Sequence, residues 1–160
     1  MSTYSAALDR DGNRQPVSSG LPFLVSKRIT FAGGTTDAIG DHDGALDPFT
    51  IFAVTGDVLL DVIGVVKTTL VGAGTLEVGV TDATAAILAQ VADATTLAQN
   101  EIWAADATVS LAEAITITPH GIGGGLDVIG TVGTANITAG VIDFYCFYRP
   151  LSVDGAVVAA

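Results

Sequence analysis

The run 140–151, GVIDFYCFYRPL, constrains the fold more than any other part of the chain, because apolar and aromatic residues fill both parities of a β-strand. Successive strand side chains point to opposite faces, so one face carries Tyr145, Phe147 and Arg149 and the other Phe144, Cys146 and Tyr148. A strand apolar on both sides lies between two layers or between two subunits. Whichever set stays out of the domain's own core is the first candidate for a subunit contact, since leaving it wet exposes a large apolar patch.

The same β signature recurs along the chain. Residues 25–31 and 49–55 read as short strands, and 58–66 as a longer one that 68–71 can extend. In that longer run Leu60, Val62, Gly64 and Val66 fall on one side and Leu59, Asp61, Ile63 and Val65 on the other, so it too is mainly apolar on both faces. Over 75–81 the alternation is clean, with Leu76, Val78 and Val80 pointing one way. Further strands are expected over 114–118, 125–132 and 141–149, separated by the glycine-rich stretches 120–124 and 133–140. Two segments read differently. Residues 82–91 place Ile87, Leu88 and Val91 at helical spacing after the capping residue Asp82, which suits a short helix or a loop running over the sheet, and 100–104 reads as irregular. The last nine residues, SVDGAVVAA, can add an edge strand.

Together these elements predict an all-β chain: a β-sandwich or jelly-roll-like single domain over residues 23–160, with an extended N-terminal arm over 1–22 and at most a short helix. No strand-plus-long-helix repeat is present to support a doubly wound enzyme fold. Pro16, Gly20 and Pro22 favour an extended arm over a helical one, and Arg10 and Arg14 within it can reach the carboxylates of a partner.

Composition narrows the function. Six Lys and Arg oppose seventeen Asp and Glu, a net charge of -11 that repels a phosphate backbone, so no nucleic-acid partner is expected. The greasiest stretch, 51–71, is interrupted by Asp57, Asp61, Gly64 and Lys67, so no membrane span is expected either. The N-terminus shows neither a basic opening nor an apolar core of a secretory signal. Cys146 is the single cysteine, which excludes an intrachain disulfide, and its place in an apolar strand marks it as a small buried hydrophobe.

Motifs for chemistry are thin. Asp37, Asp41, His42, Asp43 and Asp47 crowd one glycine-rich segment, but Ala45 stands where a calcium loop needs a ligand and no bidentate Glu closes the register. A solvated acidic loop is the preferred reading, and no metal is assigned. His42 and His120 are far apart, no serine sits in a G-x-S-x-G elbow, and the glycine clusters lack the lysine of a phosphate loop. No catalytic residue and no cofactor is therefore assigned. Trp103, in NEIWAAD, suits either the core or an interface. The interface candidates are Arg10, Arg14, Trp103, Tyr145, Phe147, Tyr148 and Arg149.

The polar arm, the block TGDVLLDVIGVVKTTLVGAGTLEVGV, the isolated EIW and the ending ITAGVIDFYCFYRPLSVDGAVV resemble small structural proteins encoded in the morphogenesis regions of tailed bacteriophages, a likeness that spans about residues 49–158. The resemblance implies a non-enzymatic capsid decoration or cement protein of sandwich or jelly-roll architecture. It would bind the major capsid protein and copies of itself, as a homotrimer, on the capsid surface of the virion after synthesis in the host cytoplasm. The competing expectations are a tail- or fibre-associated recognition module using the Gly/Asp loops and, more remotely, a β-barrel enzyme with a carboxylate site.

Overall fold

The computed structural model describes residues 22–105, 108–110 and 114–160. Its strands are β1 (Phe23–Thr30), β2 (Phe49–Thr55), β3 (Val58–Val71), β4 (Thr75–Val80), β5 (Ala83–Val91), β6 (Glu101–Trp103), β7 (Thr108–Ser110), β8 (His120–Ile122), β9 (Val128–Gly133), β10 (Ala139–Pro150) and β11 (Ala156–Ala159). Helical structure among the described residues is a 3-10 turn, Ala94–Thr96, whose N-terminal amides are capped by the Asp93 carboxylate accepting from the Thr95 N–H. The chain is all-β, every strand pairing is antiparallel, and no helix of the described residues is long and apolar enough to cross a membrane.

The strands form two sheets. The larger runs β1-β10-β3-β6-β7 with β8 also paired to β3, and the smaller runs β11-β2-β9-β4-β5. One hydrophobic cluster draws on both sheets: Ile29, Val62, Val66, Ile142 and Phe144 from the larger, and Ile51, Phe52, Leu76, Leu88 and Val132 from the smaller. β3 and β10 dominate because they are the longest strands and lie side by side, so the two runs apolar at both parities become central neighbours. The expected 58–66 strand and its extension are one continuous element, β3.

Three local expectations are corrected. Residues 82–91 are not a helix but strand β5, antiparallel to β4 through a tight turn at Thr81–Asp82. Register shifts along that pair, from Leu76↔Val91 to Val78↔Leu88 to Val80↔Ala83, let the consecutive Ile87 and Leu88 both face inward. An irregular strand thus imitates helical spacing. Gly79 is required there, since a Cβ would stand 2.0 Å from the Ala83 carbonyl oxygen. Residues 101–103 of the expected irregular stretch form β6, too short to carry a period, with Trp103 opposite Gly64. Over 114–118 the alternation Ile115, Ile117 forms no strand, and Ile117 is 58% exposed. The strand follows it instead, as β8, at residues read as a turn.

The glycine/aspartate segment between β1 and β2 has no hydrophobic period, yet it is stitched by its backbone. Amides of Thr35, Ala38, Asp41, Gly44 and Asp47 donate in turn to the carbonyls of Ala32, Thr35, Ala38, Asp41 and Gly44, a ladder of turns at three-residue steps. Ile137 clamps the ladder by accepting from the Gly33 N–H and donating to the Gly40 carbonyl. The final residues add β11 to the edge of the smaller sheet beside β2, as the sequence allowed.

Candidate functional site

β10 divides its side chains as the parity reading predicts. Ile142, Phe144 and Cys146 are fully buried, and Tyr148 packs partly against the same cluster while its ring tilts on Phe23 at a centroid distance of 5.3 Å. The set left out of the core is Tyr145, Phe147 and Arg149, the first two half-buried and the last exposed. Burial pushes the Cys146 thiol up, as expected of an inert side chain: desolvation, with the nearby Asp61 carboxylate adding to it, raises its pKa to about 12.

The register assembles the outer face of the larger sheet around that set. Leu24, Phe147 and Asp61 form one cross-strand row, Ser26, Tyr145 and Ile63 the next, and Arg28, Asp143, Val65 and Ile102 a third. Leu59, Ile63, Val65 and Ile102 are half-buried like the two aromatics, and Leu24 is 57% exposed. The face is thus apolar across several strands, with charge confined to few positions.

Two of those charges are acids set into otherwise greasy strands. Asp143 is 9% exposed and receives a two-pronged hydrogen bond from Arg28, Nε to Oδ1 at 2.6 Å and Nη2 to Oδ2 at 2.8 Å. That hydrogen bond holds the Asp143 carboxyl below the ordinary carboxylate range, Lys67 assisting. A lowered acid pKa means that the pair's stabilisation is complete above the unfolded-state value, near pH 4, and fades as pH falls through the folded value. Replacing Arg28 with Gln is therefore expected to flatten the rise of the urea midpoint below about pH 4 while changing little of its slope above about pH 6. An unchanged acid limb would show that Asp143 titrates without Arg28.

Asp61 is the other acid. It is 5% exposed, its Oδ1 accepts from the Thr118 N–H at 3.3 Å, and its Oδ2 has no hydrogen-bond partner. Burial pushes its carboxyl pKa up. It lies beside an open cavity of about 430 Å³ lined by Pro22, Leu59, Ile117, Phe147 and Arg149.

The remaining candidates fall elsewhere. Trp103 is 2% exposed and packs at 6.3 Å from the Phe144 ring, in the core rather than on a surface. Arg10 and Arg14 lie outside the described residues. Three carboxylates of the acidic segment are engaged by backbone amides: Asp37 Oδ1 accepts from the Ala45 N–H and Asp41 Oδ2 from the Asp37 N–H within the segment, while Asp47 Oδ1 accepts from the Val132 N–H of β9. Among the described residues no group of three or more His, Cys, Asp and Glu is arranged to hold a metal ion. Sequence reasoning passed over Asp61, Asp143 and Arg28 as site residues. The available signal was an acid at an outward position of two strands that are otherwise apolar, since such a group needs a partner or a purpose. No family model, curated protein or solved structure matches the chain.

Proposed function

We propose that this chain is a non-enzymatic structural protein of a tailed-bacteriophage virion, a decoration or cement protein that stabilises the assembled head. In this reading its two sheets form a jelly-roll-like β-sandwich, and copies associate as a homotrimer through the outer face of the larger sheet. The observation that carries it is the row of half-buried apolar side chains around Tyr145 and Ile63, on a protein in which Asp37, Asp41 and Asp47 are committed to backbone amides. Such a surface suits association more than turnover. The same commitment of Asp37, Asp41 and Asp47 counts against the Gly/Asp loop as a recognition surface for a tail or fibre. A trimer multiplies weak contacts to neighbouring coat subunits, so the assembled shell is held better than isolated subunits are.

The test is absolute mass by light scattering on the full-length protein, paired with Tyr145→Glu. Three protomers are expected for the parent. A charge forced into an apolar contact should weaken association by about 100-fold or more, leaving a folded monomer with unchanged β content by circular dichroism. On heads of the encoding phage the parent should cosediment and the variant should not. A parent that stays monomeric over the accessible concentration range and does not cosediment overturns the proposal.

A further inference from the structure

Charge on this chain is sorted by face. Among the described residues the lysines and arginines are Lys27, Arg28, Lys67 and Arg149, and all stand on strands of the larger sheet, in β1, β3 and β10. Three of them belong to its outer face. Arg28 lies in the row of Asp143 and Val65, Lys67 shares the parity of Val65 and acts electrostatically on Asp143, and Arg149 stands opposite Leu59 with the parity of Tyr145 and Phe147. Lys27 has the parity of the buried Ile29 and donates to the Ala160 carbonyl. The acids on the described residues of these strands are Asp61, Asp143 and Glu101. Glu101 has the parity of the core residue Trp103 and accepts from the Ala98 N–H, which leaves Asp61 and Asp143 on the outer face.

That face therefore sets three cations against two carboxylates, a surplus of positive charge on a chain whose net charge is -11. Its carboxylates are also the hidden members, at 5% and 9% exposure for Asp61 and Asp143, whereas Lys67 and Arg149 are exposed and the Arg28 side chain is 64% exposed. A molecule approaching the face meets positive charge first. A guanidinium has five N–H donors, of which Asp143 takes one at Nε and one at Nη2. Beside it lies an open hollow of about 330 Å³ lined by Ser26, Lys27, Arg28, Asp143 and Tyr145. The hydroxyls of Ser26 and Tyr145 thus join the remaining guanidinium N–H groups, a donor set that fits a carboxylate. Half-buried Ile63, Val65 and Ile102 continue the surface as an apolar floor.

The sign of this charge decides how copies meet. Two copies joined isologously through the face would set Arg28, Lys67 and Arg149 of one against the same patch of the other, and like charges brought together oppose association. A heterologous contact sets the face against a different surface of the next copy. The other acids of the described residues lie off the strands of this sheet, Asp43 among them with its side chain 83% exposed, so each copy carries the complementary charge elsewhere.

We infer that the outer face of the larger sheet is the cationic half of a head-to-tail contact between copies of this chain, in which a carboxylate of the neighbouring copy enters the hollow at Ser26, Arg28 and Tyr145. Lys67 and Arg149 lie on either side of that hollow along the sheet. The inference rests on the association proposed above and adds its polarity: each copy offers this face once and an acidic surface once. Such a contact closes into a ring, as a trimer requires, and does not form a two-fold dimer.

The experiment uses full-length protein, with association followed by light scattering and folding by circular dichroism. Lys67→Glu should weaken each contact about tenfold to 100-fold, and Lys67→Gln about twofold to fivefold. Ala85→Glu, on the exposed side of β5 in the other sheet, changes the net charge by as much as Lys67→Gln and should not weaken association. In a mixture of isotopically labelled and unlabelled parent, a carbodiimide, which joins an amine directly to a carboxylate, should couple Lys67 to an Asp or Glu of another copy. Mass spectrometry identifies that product as a heavy–light pair, and Lys67→Gln should lack it. A parent that stays monomeric overturns this inference together with the association it rests on. If the parent associates, three results overturn the inference alone: Lys67→Glu assembling as well as the parent, Ala85→Glu weakening assembly as much as Lys67→Gln, or Lys67 coupling only within its own chain.

Discussion

Replacing Phe144 with Ala is expected to cost about 3–5 kcal/mol, a large share of the roughly 5–15 kcal/mol that holds a domain of this size together. The ring is fully buried at the middle of β10. It packs against Trp103 and sits over Gly64, where an added Cβ would approach it to 3.3 Å. Gly64 also faces Trp103 across β3 and β6, so the absence of a side chain on β3 makes the slot that both rings share. Truncation would empty that slot from one side. Strands on both flanks of β10 are fixed by backbone pairing and cannot close in, so most of the cavity should persist. Phe147, three residues on and facing outward, is half-buried, and Phe147→Ala should cost only about 1 kcal/mol in the monomer. Urea unfolding of both variants measures the difference. Equal losses would mean that the two faces of β10 are equally enclosed and that the outer face is not available as a contact surface.

That contrast was legible in the sequence, because a strand with both parities apolar is rare and parity alone sorts its residues. The division into Phe144, Cys146 and Tyr148 on one face and Tyr145, Phe147 and Arg149 on the other needed no structure, whereas which face turns inward is settled by the burial of Phe144 and Cys146. The same logic read β3 and β4, whose patterns are regular. It failed where hydrogen-bond register, not composition, decides which way a side chain points. Ile87 and Leu88 are both buried through shifts in the β4–β5 pairing, and no count along β5 alone can separate that from a helical face. Ile115 and Ile117 carry a good alternation but find no neighbouring strand, and β3 pairs with β8 just beyond them. β6 shows the opposite limit: three residues hold no period, and its place follows from Gly64 making room for Trp103. The candidate site was half visible for a related reason. Its aromatics stand together in one strand, whereas Pro22, Asp61, Ile117 and Phe147 are joined only by the pairing of β1, β10 and β3 and by the segment before β8.

The segment between β1 and β2 offers the second large effect, and it lies where hydrophobic patterning is silent. Asn136→Ala is expected to cost about 2–3 kcal/mol, from hydrogen bonds worth about 0.5–1.5 kcal/mol each, and to release the turn ladder before the rest of the fold. The side chain joins both halves of that ladder to the approach to β10. Its Nδ2 donates to the Gly33 carbonyl at 2.6 Å, and its Oδ1 accepts from the His42 N–H at 3.1 Å and pairs with His42 Nδ1. All three bonds are part-buried, so water replaces them only in part once the amide is gone. The backbone of Ile137 still holds Gly33 and Gly40 in the variant, which should confine the damage to a local opening. Hydrogen exchange measures it directly: the amides of Ala38, Asp41 and Gly44 should lose protection well before those of β3 and β10, where the parent protects both. If those amides keep their protection in Asn136→Ala, the ladder stands on its own turns and on the carboxylates of Asp37 and Asp41. The acidic residues would then be what rigidifies the segment, and replacing Asp37 with Ala should reproduce the loss instead.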